Sequence, residues 1–245
     1  MRRLLCLLAG ILLGQGVINA AIIATEDFND STVIFTSSDG LFHDGTSDYF
    51  SVVPGIIPTP GAPANPVTAY TGFAGGFFAA EDIDDGGTRP GIQTLTFTVD
   101  VSNFENLTFD GDFALGGNGA AFPAYDSNDG LLVRAQIDGG AFQNLLAFEA
   151  IGTTNQVARV DADFDGTGDA AGFQPTSAAT AFNGLAIAGT GNVLTLEVVV
   201  GSNDGNSEFA FDNFVFNGDL TAVPEPSSMA LVFAGMAFVG FRRRR

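Results

Sequence analysis

Asp161-Ala-Asp-Phe-Asp-Gly-Thr-Gly-Asp169 is the stretch of this chain best equipped for chemistry. Asp161, Asp163 and Asp165 stand at alternate positions and Gly166 follows them. That spacing opens a twelve-residue calcium loop, in which alternate carboxylates converge while the glycine makes the sharp turn. Thr167 would add its backbone carbonyl, and Asp169 stands at the ninth position. The twelfth position is Gly172, so the usual bidentate glutamate is missing and further oxygens must come from water or another acid. The same residues also suit an Asp-Gly-rich hairpin turn on an acidic surface.

Catalytic combinations are sparse. His43, beside Asp44 and Gly45, is the only histidine, so a serine triad would rest on it alone, and no nucleophile elbow is present. A zinc site built on three histidines is impossible. Glycoside hydrolysis needs only two carboxylates. The acids here fall mostly in Asp-Gly or Asn-Asp turn settings, however, and the chain has no tryptophan on which a sugar ring could stack. Tyr49, Tyr70 and Tyr125 are the weak substitutes, and the 24 phenylalanines suit a core.

Charge narrows the partners. Of nine arginines, Arg2 and Arg3 open the chain and Arg242 to Arg245 close it. In residues 21–222, 27 acids face Arg89, Arg134 and Arg159, with no lysine, for a formal charge of −24. Phosphate contacts need a cationic surface, so nucleic acid is excluded as a partner and anionic lipid headgroups are equally poor ones. Cations are the natural counter-species. The one cysteine, Cys6, lies in the first apolar run, so the central region has neither disulfides nor thiolate ligands.

The elements that must position these residues are strands. Ile92 to Val101 alternates, with Leu95, Phe97, Val99 and Val101 on one face and Thr94, Thr96, Thr98 and Asp100 on the other. Asn192 to Val200 alternates likewise, with Leu194, Leu196, Val198 and Val200 inward. Leu131 to Ile137 and Phe142 to Phe148 flank Asp138-Gly139-Gly140, a hairpin signal. Leu107 to Leu115 and Glu208 to Phe216 add two more strands. Thr32 to Phe35, Tyr49 to Val53 and Gly76 to Ala80 are shorter ones. Ala178 to Ala188 is the only central stretch that suits a helical turn or two. Five prolines between Pro54 and Pro66 exclude a central strand there and predict an extended surface loop. The sum is one all-β domain, 21–222, with a β-sandwich as its architecture.

Both termini carry addresses. Arg2-Arg3, the apolar run Leu4 to Leu13 and the small residues around Ala20-Ala21 form a signal peptide, 1–20, cut by signal peptidase after Ala20, with Ala21 as the alternative. At the other end, Pro224-Glu225-Pro226 precedes the apolar run Met229 to Phe241 and four arginines. About 20 apolar residues span a bilayer, so this run is marginal, and snorkelling arginines on the cytoplasmic side would help it insert as a helix. Motif, span and cationic stop in this order make 223–245 resemble the PEP-CTERM sorting signal of Gram-negative bacteria. The resemblance implies export, transient anchoring in the inner membrane and processing near Pro224-Glu225-Pro226 by an exosortase, then display at the cell surface or release.

Between the signals, the order of Glu26-Asp-Phe28, Phe77-Phe-Ala-Ala-Glu-Asp82, Leu95 to Phe113, Asp138-Gly-Gly, the Asp161–Asp169 loop and Phe211-Asp-Asn213 resembles secreted bacterial jelly-roll modules. The resemblance implies a sandwich like those of carbohydrate-binding modules and carries over no catalytic residue. It implies a second calcium position tying an early acid, Glu26 or Asp27, to Asp212 on the last strand. Asp212 and Asn213 equally suit backbone bonding at a strand bend. The reading is an exported, non-enzymatic protein with a binding or structural role in extracellular polysaccharide or biofilm matrix. A secreted polysaccharide-active hydrolase is the alternative.

Overall fold

The computed structural model describes residues 20–30, 32–43, 48–53, 70–116, 125–203 and 205–221. Among them the regular elements are thirteen strands: β1 (Ala20–Glu26), β2 (Phe35–Ser37), β3 (Phe42–His43), β4 (Tyr49–Val53), β5 (Phe77–Glu81), β6 (Ile92–Asp100), β7 (Phe104–Gly116), β8 (Gly130–Ile137), β9 (Gln143–Ala150), β10 (Ala158–Val160), β11 (Thr180–Ala186), β12 (Val193–Gly201) and β13 (Glu208–Leu220). The expected signal and anchor helices and the proline-rich loop lie outside the described residues, as does the Pro224-Glu225-Pro226 motif.

The strands form two antiparallel sheets. One runs β11–β7–β13–β5–β4–β3, with β1 also on β13, and the other runs β10–β9–β8–β12–β6–β2. From β6 to β8 and from β10 to β13 the chain repeatedly crosses between sheets, so each sheet supplies one wall of a shared core. The alternation expected in 92–101 and 192–200 is present. Leu95, Phe97, Leu194, Leu196, Val198 and Val200 are buried, while Thr98 and Asp100 are exposed. Asp138 and Gly139, both at positive φ, make the β8–β9 turn.

One irregularity shapes the first sheet. β13 keeps β7 on one side along its length. On the other side it pairs β5 through Phe209–Phe211 and then β1 through Phe214–Asp219. The neighbours change at a bulge between Asp212 and Val215, where Asn213 sits at φ 54°. The extra residue resets the pleat, so Phe209, Phe211, Phe214 and Phe216 all point into the core although 211 and 214 are not in alternation. Phe214 is central: its ring lies 4.9–5.7 Å from those of Phe28, Phe97, Phe109, Phe113 and Phe211.

Three expectations need correction. Ala178 to Ala188 is not helical: Thr180–Ala186 is edge strand β11, because β7 offers it a ladder that outweighs alanine's helix propensity. Ala20–Glu26, which carried no strand expectation, is β1, held by β13 rather than by its own pattern. The short strand placed at 32–35 begins instead at Phe35.

Candidate functional site

The Asp161–Asp169 loop hangs from the β9–β10 hairpin. The amide of Asp161 donates to the Ala147 carbonyl at 3.1 Å, extending that ladder by one bond. Asp161 is buried, and its carboxylate organises the turn. Its Oδ1 accepts from the Phe164 and Asp165 amides (2.8 and 3.4 Å), and its Oδ2 accepts from Gly166 (2.9 Å). This draws Phe164 and Gly166 to φ 58° and 86°. Asp165 accepts from the Thr167 amide, and Asp169 from the Ala162 amide. Gly168 seats the far side, its amide bonded to Ala150; a Cβ there would meet the Glu149 carbonyl at 2.2 Å.

One oxygen each from Asp161, Asp163 and Asp165 falls within 4.8 Å of the others, with Asp163 and Asp165 open to solvent. Asp161 and Asp165 both push the Asp163 carboxyl up from its ordinary value. Three negative oxygens converging at an open surface suit a hard cation with oxygen ligands. Asp169 is tied to the Ala162 amide by one oxygen and adds to the field at Asp163. Thr167 follows the glycine turn with its amide committed to Asp165.

Glu149, which no sequence signal marked, joins this loop to a pocket. Burial, helped by the Asp161 and Asp129 charges, pushes it up to about 7. It lines a shallow depression on the outer face of the second sheet with Ile92, Ser127, Asn128 and Leu132. Gly130 forms part of the wall, and a Cβ there would strike the Glu149 carboxylate at 2.3 Å. Asp129, beside it in sequence, is buried. It accepts from the Ser207 hydroxyl and the Asp126 amide at 2.8 Å each, yet burial still raises it to about 6.

Glu26 and Asp212 occupy the places expected of them at the two ends of the domain, but with different partners. Glu26 is committed to backbone: Oε1 accepts from Phe28 (3.0 Å) and Oε2 from Ile34 (2.9 Å), closing the turn after β1. Asp212 lies at the β13 bulge, buried, with Oδ1 accepting the Asn213 amide at 2.7 Å. Among the described residues its Oδ2 has no hydrogen-bond partner. Burial, and then the charges of Asp112 and Asp27, raise it to about 7. Asp27, the alternative early acid, is therefore the one whose charge acts on Asp212.

His43 stands on β3 opposite Tyr49 rather than in a loop. Tyr49 and Tyr125 are fully buried, so neither is a platform for a sugar ring.

Residues 222–245 match the PEP-CTERM protein-sorting motif. The chain ends in a PEP-CTERM sorting signal. Such a signal marks a protein for export, with transient anchoring through its C-terminal region. Among solved structures, the chain is similar to the CBM22-1 xylan-binding domain from Paenibacillus barcinonensis, at 14% identity over 83% of this chain and 97% of that one, TM-score 0.36. It is also similar to the K3 cleaved adhesin domain of Lys-gingipain from Porphyromonas gingivalis, at 15% identity over 81% of this chain and 100% of that one, TM-score 0.37. No curated protein matches the chain.

Proposed function

We propose that this PEP-CTERM protein is an exported binding module of the extracellular polysaccharide matrix, and that it binds without cleaving. The sorting motif at 222–245 carries this reading, because it supports export of the sandwich. In this account signal peptidase removes 1–20, the C-terminal apolar segment pauses in the inner membrane, and an exosortase cuts near Pro224-Glu225-Pro226. Calcium sits at Asp161, Asp163 and Asp165, with Thr167 and Asp169 completing the loop, and the Asp212 bulge is a second, weaker position. The pocket beside Glu149 receives the glycan: its apolar floor suits a sugar face and its carboxylate suits sugar hydroxyls. With 27 acids against three arginines in the exported part, adhesion to an acidic polysaccharide would need bridging cations.

The test is retention of the purified protein on exopolysaccharide from the producing cells, with calcium and with chelator, alongside an assay for new reducing ends. Retention without new reducing ends supports binding. Release of reducing ends supports the hydrolase alternative.

A further inference from the structure

All three tyrosines of this chain converge on one pair of buried acids. The β5–β13 ladder pairs Phe209 with Ala80, which places Glu208 opposite Glu81 at the end of that ladder. Tyr49 pairs with Glu81 from the other side. Glu81 and Glu208 have no exposed surface. The Tyr70 hydroxyl donates to Glu208 Oε2 at 3.1 Å. The Tyr125 hydroxyl lies 2.6 Å from the Glu208 carbonyl and 2.7 Å from that of Gly116, with one proton to give between them.

Glu81 is the anomaly. Among the described residues neither of its carboxylate oxygens has a hydrogen-bond partner, although both are buried. The Tyr49 hydroxyl comes near enough to influence the Glu81 proton but not in hydrogen-bonding geometry. Burial, and then the negative charges of Glu208, Asp82 and Asp48, push Glu81 up to about 9. Buried polar groups are ordinarily satisfied, and an orphan of this kind marks an unseen ion or water. A buried, partnerless carboxylate facing a second one is unfavourable unless a proton or a cation neutralises it. The surrounding donors are carboxylate, phenol and carbonyl oxygens, the ligand set of a hard divalent cation. Asp82 and Asp48, both half-buried, extend the negative field towards solvent.

We propose that Glu81 and Glu208, framed by Tyr49, Tyr70 and Tyr125, hold a calcium-class divalent cation against the outer face of the first sheet. The site is independent of the Asp161–Asp169 loop, which lies on the other sheet and contains no tyrosine. It locks β4, β5 and β13 together where the ladder ends. Its position also explains why acids and tyrosines interrupt an otherwise apolar cluster of Val53, Phe77, Ala79, Ala114 and Ala210.

Terbium, a luminescent stand-in for calcium, tests this in the full chain. The protein has no tryptophan, so terbium emission excited through tyrosine reports a lanthanide held near these three rings. The expected result is sensitised emission in the Asp163→Asn/Asp165→Asn variant, displaced by calcium. Glu81→Gln, isosteric with the protonated acid, should weaken terbium binding by at least the ~10–100-fold that losing a ligand's supporting partner costs. The proposal is overturned by absent emission, by emission that disappears with the loop variant, or by unchanged binding in Glu81→Gln. Should Glu81→Gln not fold, calcium-displaceable emission in the folded loop variant decides alone: its presence supports the site and its absence removes it.

Discussion

Replacing Asp163 and Asp165 together by Asn should abolish the calcium response of the loop while leaving its fold intact. Both side chains are exposed, so the change leaves the core untouched. Asp165 Oδ1 accepts the Thr167 amide at 2.9 Å, and asparagine keeps that acceptor. Asp161, which holds three backbone amides, is deliberately spared. Without calcium the variant should be no less stable than the parent, because its Asn side chains remove the charges that repel Asp161. With calcium at a hundredfold over its dissociation constant, a site present only in the folded state contributes about 2.7 kcal/mol. For a domain of this size each kcal/mol moves Tm by about 2–4 °C, so the loop's share is roughly 5–11 °C. Calorimetric melts in millimolar calcium and in chelator measure it. The double variant should lose that share, and any remaining shift belongs to other cation sites. An undiminished shift in the double variant would refute the loop as a site. Absence of any shift in the parent would refute calcium stabilisation altogether.

Gly168→Ala should destabilise the protein by about 1–3 kcal/mol, the usual cost of overpacking, and weaken the loop's calcium response, since its Cβ would sit 2.2 Å from the Glu149 carbonyl; a fully stable variant in urea melts would count against the loop's seating. Phe214→Ala should cost about 3–5 kcal/mol in chemical denaturation, because the ring is fully buried among five others; a loss under 1 kcal/mol would contradict its central place. Asp129 and Glu149 keep protons in the folded state up to about 6 and about 7, against ordinary carboxyl values near 4 when unfolded. The folded state binds more protons across that window, so their contribution is greatest below pH 4 and falls as pH rises through 6 to 7. In chelator, stability should decline from pH 4.5 to 7.5, and Asp129→Asn should flatten the lower part of that slope; stability that climbs over this range would show the sign to be wrong.

Strands with a wet and a dry face announced themselves. In 92–101 threonine alternates with Leu, Phe and Val, and the structure keeps that division face for face. Elements defined by a neighbour did not. β11 reads as alanine-rich and its pattern is weak; only β7 makes it a strand. The bulge at Asn213 leaves no local signature beyond an Asp-Asn pair, yet it decides that Phe211 and Phe214 share the core. The loop was legible as spacing, because Asp161, Asp163 and Asp165 are near in sequence and need only one turn to meet. Glu81 and Glu208 are distant in sequence, one closing an apolar run and the other opening one, so only the sheet register shows them as a pair. Glu26 was legible as a matching position of the resemblance but not as what it is here, a carboxylate spent on two backbone amides.

A chain that is exported, trimmed at both ends and retained by extracellular polysaccharide leaves a mature form of defined mass. Intact-mass spectrometry of the protein recovered from the polysaccharide fraction of the producing cells tests it most directly. The predicted species begins at Ala21 and ends between Val223 and Pro226. Full-length chain carrying Arg245, found inside the cells and missing from that fraction, would contradict the account.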